Sequence, residues 1–231
     1  MNPRIKVSKQ KYRTMRYFID ATKEIAEVEG IDKLTIRNIA DRAGYNSATI
    51  YNYFENLDSL VALAMIDSVT DYLYGFDQIL NSDYDPIMAL LLSWRVYAEC
   101  SFPNPEVYEY VFASKHSDYV LSKLELYFDT FPIDTRHVNT IVTNHDMLTR
   151  NRLLYAPCFE LGYFHAKKED YIIDFCYILH GGFSKRIFTK NQSTEEAVVL
   201  FLQYLIEFLT HHTERDDIQC PSLEAVLAIE Y

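Results

Sequence analysis

The stretch from Leu34 to Leu60, LTIRNIADRAGYNSATIYNYFENLDSL, constrains this chain more than any other, because it packs three helix starts and one forced turn into a short span. Thr35 can cap a first helix, IRNIADRA, in which Ile36, Ile39, Ala40 and Ala43 recur on one face. Gly44 stands where the backbone leaves that helix, a place that favours left-handed torsions and a residue without a Cβ. Asn46 or Ser47 can cap the next helix, SATIYNYF, which buries Ile50 and Phe54 and leaves Ser47, Thr49, Asn52 and Tyr53 facing elsewhere. Asn56 caps a third start, with Asp58 in its first turn. Two short helices joined by a tight turn form a helix-turn-helix, whose second helix enters the DNA major groove. The segment therefore reads as a DNA-binding unit of a regulator.

The remainder fits a small head on a larger helical body. Only six glycines and seven prolines occur in 231 residues, and 49% of the residues are hydrophobic. Long helices suit that composition better than a sheet protein, which needs a turn about every ten residues. The expected fold class is all-α: a three-helix head over residues 1–56 and a larger helical body over residues 57–231. The formal charge of −11 is unevenly spread, at +2 over residues 1–60 and −13 over residues 61–231. Arg4, Lys6, Lys9, Lys11, Arg13 and Arg16 precede the first acid, Asp20, and such a cluster can neutralise phosphates. Cys100, Cys158, Cys176 and Cys220 lie far apart and read as free thiols of a reducing compartment. The charged opening residues predict no signal peptide, and the longest apolar stretch, Ala197–Leu209, is too short to span a bilayer. A cytoplasmic protein is expected.

The pattern predicts a first helix over Lys9–Glu29 with Tyr17, Phe18, Ala21, Ile25 and Val28 buried, ended by Gly30. One long helix is expected from Leu57 to about Leu80, with Leu60, Leu63, Ala64 and Tyr72 inward. Asp85-Pro86 opens a helix to Cys100, Asn104-Pro105 opens another to Ser114, and Ser117 starts one to about Phe128. After a break at Phe131–Ile133 and a short element near His137–Val142, helices are expected over His145–His165, Glu169–Phe188 and Thr194–His212. The last two are apolar on more than one face: Tyr171, Ile172, Phe175, Ile178 and Leu179 in one, Val198, Val199, Phe201, Leu202, Leu205, Ile206 and Leu209 in the other. Such helices need burial on two sides, which a two-fold dimer joined as a four-helix bundle supplies. Gly181-Gly182 would allow close approach of a neighbouring backbone.

The wording of the head segment resembles the tetracycline-repressor (TetR) family of bacterial transcription regulators. Thr35, Ile39-Ala40, Ala43-Gly44-Tyr45, Ile50-Tyr51, Tyr53-Phe54, Asn56, Asp58 and Leu60 fill the family's positions in one register. Leu57 departs from the pattern, standing where the family usually has a phosphate-touching lysine, and Asn46 replaces the commoner Ser or Thr. The resemblance implies that Tyr45, Asn46, Ser47, Thr49 and Asn52 face DNA, with Asn52 suited to adenine. It also implies that Thr35, Tyr51 and Tyr53 hold phosphates, with Arg37 within reach of a phosphate or a guanine. A homodimer on a palindromic operator follows, with a small-molecule effector in the body and repression as the usual outcome. The pocket would be lined by Tyr72, Phe76, Trp94, Tyr97, Phe112, Tyr155, Phe159, Tyr163 and Phe175, oriented by Glu99 or His145. A cationic aromatic effector and a fatty or phospholipid-like one both fit such walls. The Leu57–Leu80 helix is the expected lever between effector and head.

Enzyme signatures are missing: there is no phosphate-cradling glycine loop, no G-x-S-x-G, no H-E-x-x-H and no cysteine–histidine cluster at ligand spacing. No cofactor and no metal are expected. The competing reading is a helical interaction protein whose head no longer reads DNA.

Overall fold

The structure, a computed structural model of the chain, describes residues 8–131, 140–144, 146–190, 192–214 and 219–230. Fourteen α-helices occur among them: α1 Lys9–Glu29, α2 Ile36–Ala43, α3 Ser47–Ile50, α4 Leu57–Ser68, α5 Thr70–Leu80, α6 Pro86–Ser101 and α7 Pro105–Phe112, followed by α8 Ser117–Leu121, α9 Leu124–Thr130, α10 Thr140–Thr143, α11 Met147–Glu160, α12 Glu169–Lys190, α13 Thr194–His212 and α14 Leu223–Leu227. Among the described residues no strand forms, only an isolated antiparallel bridge between Phe164 and Thr213. The chain divides by packing into two compact units, Met1–Thr70 with Val107–His137, and Asp71–Glu106 with Val138–Tyr231.

In the first unit α1 packs on α2 and α4, α2 on α3, and α4 on α8 and α9. Every residue from Ser59 to Asp67 is buried, so α4 is covered on all sides rather than along one stripe. Phe18, Ala21 and Ile25 of α1 are buried as their spacing requires, but Tyr17 is 55% and Val28 79% exposed. Those two lie at the edge of the apolar face, where Tyr17 meets only the edge of the head through the Tyr45 ring, 6.4 Å away.

The second unit is built around α6 and α13, with α11 on α6, α12 on α13, and α14 against both α6 and α13. Asp85 accepts a hydrogen bond from the Ile87 N–H and Pro86 begins the helix, so α6 starts where its sequence says. Arg95 holds α14 from α6, its Nη1 donating to the carbonyl oxygens of Val226 at 2.9 Å and Ile229 at 2.8 Å.

Three expected helices differ. Leu57–Leu80 is two helices, because the run Ser68-Val69-Thr70 turns its hydroxyls back on the backbone. Ser68 Oγ donates to the Ala64 carbonyl, Thr70 Oγ1 to the Asp67 carbonyl, and the Val69 N–H tightens onto Ile66. The expected Ser117–Phe128 helix breaks at Ser122-Lys123 into α8 and α9. The helix expected to reach His165 stops at Glu160, where Gly162 takes a φ of 73° and the chain turns. The short C-terminal α14 carries no strong local pattern and was not expected. His137 and His145 lie outside the described residues, as do Arg4 and Lys6 of the basic terminus.

Candidate nucleic-acid interface

The head is assembled by caps. Thr35 Oγ1 accepts from the Asn38 N–H at 3.1 Å while the Asn38 carboxamide accepts from the Thr35 N–H at 2.8 Å, a reciprocal capping box. At the other end of α2, Gly44 is left-handed, with φ 79° and ψ 26°, and the Tyr45 N–H closes onto the Ala40 carbonyl. Asn46 then caps α3: its Oδ1 accepts from both the Thr49 N–H and the Thr49 hydroxyl, each at 3.0 Å. The second helix of the motif is shorter than its sequence implied. Only Ser47–Ile50 is α-helical; beyond it the Asn52 and Tyr53 N–H groups make tighter bonds back to Thr49 and Ile50.

Phe18 of α1 fixes this short helix at both ends. Its ring meets Tyr45 at 5.1 Å on one side, and Tyr53 at 6.0 Å and Phe54 at 6.1 Å on the other. Ile39, Ala40 and Ile50 are fully buried beneath. Tyr45 and Tyr53 are thus half-buried by their rings, whereas Tyr51 is 59% exposed and stands in solvent. Thr35, Arg37, Asn46 and Asn52 are exposed, and Ser47 and Thr49 half-exposed. Among the described residues the Arg37 guanidinium makes an ion pair with Asp41, 3.9 Å away at the surface, a pairing of little weight. Thr49 and the Asn46 carboxamide oxygen are engaged with each other, which leaves Ser47, Asn52 and the Asn46 amide group presented outward.

Of the basic residues in α1, Lys9, Lys11 and Arg13 are exposed. Arg16 is not: its guanidinium turns to Asp67 of α4, a carboxylate also bound by Lys23 Nζ at 2.7 Å and by the Tyr127 hydroxyl of α9 at 2.5 Å. Burial opposes the charge on Asp67, but the hydrogen bonds from Arg16, Lys23 and Tyr127 outweigh it and hold the carboxyl below its usual range. Nothing local in the sequence marked Asp67 or Tyr127.

In the second unit, five of the eleven expected pocket residues meet. Tyr72 stacks on Phe76 at 5.6 Å and meets Tyr97 edge-on at 5.1 Å; Trp94 lies 6.0 Å from Tyr97 and donates its Nε1–H to the Tyr155 hydroxyl at 2.7 Å. Burial raises the phenols of Tyr72, Tyr97 and Tyr155 above their ordinary range. Two partners were not foreseen. Arg150 of α11, 2% exposed, lies over the Tyr72 and Phe76 rings and donates to the Tyr72 hydroxyl at 3.0 Å. His180 of α12 sits among Tyr97, Phe102, Trp94 and Phe201, its Nε2 2.8 Å from Ser101 Oγ, and burial pushes its imidazole down to about 3.

The others go elsewhere. Phe159 packs on Phe164, the Tyr163 hydroxyl donates to Asp85 at 2.5 Å, and Phe175 stacks on Phe208 at 3.8 Å. Glu99 pairs with Arg95 at 2.8 Å, and Phe112 belongs to the first unit, against Tyr108. The four cysteines are free thiols, and burial pushes those of Cys158 and Cys176 up to about 12. Among the described residues no His, Cys, Asp and Glu cluster could hold a metal ion, and no helix is long and apolar enough to cross a membrane.

Residues 18–64 match the family model of bacterial regulatory proteins, tetR family. No curated relative matches the chain by sequence. Solved structures share the fold at low identity. The fatty acid degradation regulator FadR from Bacillus halodurans is 15% identical, with a TM-score of 0.57 over 87% of this chain and 96% of that one. A Clostridium perfringens protein described as a fatty acid metabolism regulator is 11% identical, with a TM-score of 0.58 over 83% and 97%. RolR, solved in complex with resorcinol, is 15% identical, with a TM-score of 0.52 over 94% and 100%.

Proposed function

We propose that this chain, whose residues 18–64 match the family model of bacterial regulatory proteins, tetR family, is a DNA-binding regulator of that kind rather than an enzyme: a cytoplasmic repressor that binds a palindromic operator as a homodimer and is released by a small effector. The carrying observation is the capped α2–α3 unit, held by Phe18 and presenting Ser47, Asn52 and the Asn46 amide outward. In this reading residues 1–56 are the functional head. Asn52 and Ser47 read base edges, while Thr35, Arg37, Tyr51 and the Tyr45 and Tyr53 hydroxyls settle on phosphates around them. Leu57 supplies no charge there, so backbone clamping falls to Lys9, Lys11 and Arg13.

The dimer forms through α12 and α13. Their inner residues, Ile172, Val198, Phe201, Leu202, Leu205 and Leu209, are buried within the unit. Outward, Tyr171, Tyr177, Ile178, Val199 and Tyr204 are exposed, with Ile178 at 70%. Gly181 and Gly182 are exposed too, and a Cβ on either would meet nothing within 4 Å. A second copy covers this face and sets the two α3 helices about 34–36 Å apart, one turn of DNA.

The effector site is the aromatic group of Tyr72, Phe76, Trp94, Tyr97 and Tyr155. The buried guanidinium of Arg150 beside Tyr72 and Phe76 makes a cationic ligand unfavourable, so a neutral or anionic apolar molecule, such as a phenol or a fatty acid, fits better. Fatty acid regulators and a resorcinol-bound one share the fold. The effector acts by preferring a head spacing that mismatches successive grooves, since equal affinity for both states shifts nothing. The Leu57–Leu80 segment carries that coupling, with Val69 as its joint.

Selection of duplexes from a random pool by the full-length protein, followed by release with a panel of phenols and fatty acids, tests this reading. A two-fold symmetric site and release by at least one compound are expected. Salt-independent binding, or none, would instead favour a protein-interaction role for the head.

A further inference from the structure

Tyr17 stands on α1 where apolar spacing called for a buried side chain, yet it is 55% exposed and its hydroxyl makes no hydrogen bond among the described residues. The next residue, Phe18, faces the other way and is wholly buried. The Tyr45 ring is shared between the two, 5.1 Å from Phe18 on its inner side and 6.4 Å from Tyr17 on its outer side. Tyr45 directly precedes Asn46, the cap of α3, so Tyr17 borders the start of the helix that faces DNA.

Charge divides α1 at this residue. Before it, Lys9, Lys11 and Arg13 are exposed and make no ion pair among the described residues. After it, the exposed charged groups are Asp20, Glu24, Glu27 and Glu29, while Lys23 turns away to Asp67. Three of those acids hold cations of the protein itself: Asp20 pairs with Arg16 at 3.3 Å, and Glu24 and Glu29 with Arg42 at 3.3 and 3.8 Å. A phosphate backbone is drawn to the first half of the helix and repelled by the second. Lys9, Arg13 and Tyr17 follow at intervals of four, which sets them along one side of α1 over about 12 Å. Tyr17 is the last member of that row before the acids begin. It brings a neutral donor, and tyrosine hydroxyls commonly donate to phosphate oxygens.

We infer that Tyr17 is a further DNA-contacting residue, whose hydroxyl donates to a phosphate of the strand held by Lys9 and Arg13, where that strand passes from α1 to the start of α3. The inference rests on the DNA-binding reading above and adds to it a contact made by the first helix of the head. The Tyr45 ring supports the Tyr17 ring from one side, so little side-chain freedom is lost when the hydroxyl meets its phosphate. Such a contact carries no sequence information; it fixes how α3 sits over the bases.

Binding of the full-length protein and of Tyr17→Phe to the selected duplex and to a scrambled one of equal length, across a salt series, tests the inference. Tyr17→Phe keeps the ring and its packing on Tyr45, so its melting curve matches that of the natural protein. It binds both duplexes about tenfold more weakly, with the salt slope unchanged because a hydroxyl neutralises no phosphate. Arg13→Gln, by contrast, lowers the slope by about one per contact. Duplexes carrying single neutral methylphosphonates identify the phosphate concerned: on one of them the natural protein and Tyr17→Phe bind equally. Undiminished binding of Tyr17→Phe to both duplexes overturns the inference and leaves the DNA-binding reading standing. A loss confined to the selected duplex also overturns it, since that is the mark of a base contact. Failure of the natural protein to bind either duplex overturns the reading and the inference together.

Discussion

Tyr127 and Asp67, sixty residues apart in the chain, share a 2.5 Å hydrogen bond from phenol to carboxylate inside the first unit. Lys23 and Arg16 reach the same carboxylate from α1, so one acidic side chain ties α1, α4 and α9 together. Asp67 is nearly enclosed, while Arg16 and Lys23 keep about 30% of their side-chain surface in water.

Replacing Asp67 by Ala therefore destabilises the protein by about 2–3 kcal/mol, somewhat below the loss for a fully enclosed pair, because the abandoned cations can still be hydrated. Tyr127→Phe removes one donor of three and costs about 1 kcal/mol. Denaturant titration of the two variants checks both values; equal losses would contradict the convergence on Asp67.

His180 makes the second unit sensitive to acid. Its imidazole, held neutral by burial, takes up a proton only near pH 3 when folded, against 6.5 when unfolded. Between those values the unfolded chain binds the extra proton, so stability is lost as pH falls below 6.5, by at most about 1.4 kcal/mol per pH unit. Urea unfolding at pH 7.5 and 5.5 should show a drop about 1 kcal/mol larger for the natural chain than for His180→Gln. Parallel pH dependence would show that burial does not depress the His180 imidazole in the fold.

Gly44 is required by torsion rather than by crowding, since a Cβ there would touch nothing within 4 Å. Gly44→Ala costs about 1–2 kcal/mol from the left-handed backbone alone. Asn46→Ala costs about 1 kcal/mol through loss of the cap and, unlike the glycine change, also alters DNA contact. Melting curves measure both losses.

Ile178 lies at the centre of the outward face of α12. Ile178→Asp should convert a dimer into a folded monomer, read by sedimentation. An unchanged mass would move the dimer contact away from α12 and α13.

Much of the architecture was legible because its signals are local. Asp85 caps α6 and Thr35 caps α2, each where side-chain chemistry called for it, and α1 has the bounds its periodicity gave. The turn at Val69 was hidden because it arises from hydroxyls competing with a helix that apolar spacing alone would continue. Arg16 looked like one more phosphate cation; only the fold brings it to a carboxylate fifty-one positions away. The aromatic group showed the same limit. The family resemblance pointed to Tyr72, Trp94 and Tyr155, but not to Arg150 and His180, whose place among the rings depends on how α11 and α12 pack in the second unit.

The most direct measurement compares the natural protein with Asn52→Ala on its selected duplex and on a scrambled duplex of equal length, at two salt concentrations. The natural protein should prefer the selected site; Asn52→Ala should lose about tenfold or more there while its affinity for the scrambled duplex stays the same. Equal loss on both duplexes, or no preference by the natural protein, would contradict a head whose short α3 reads bases.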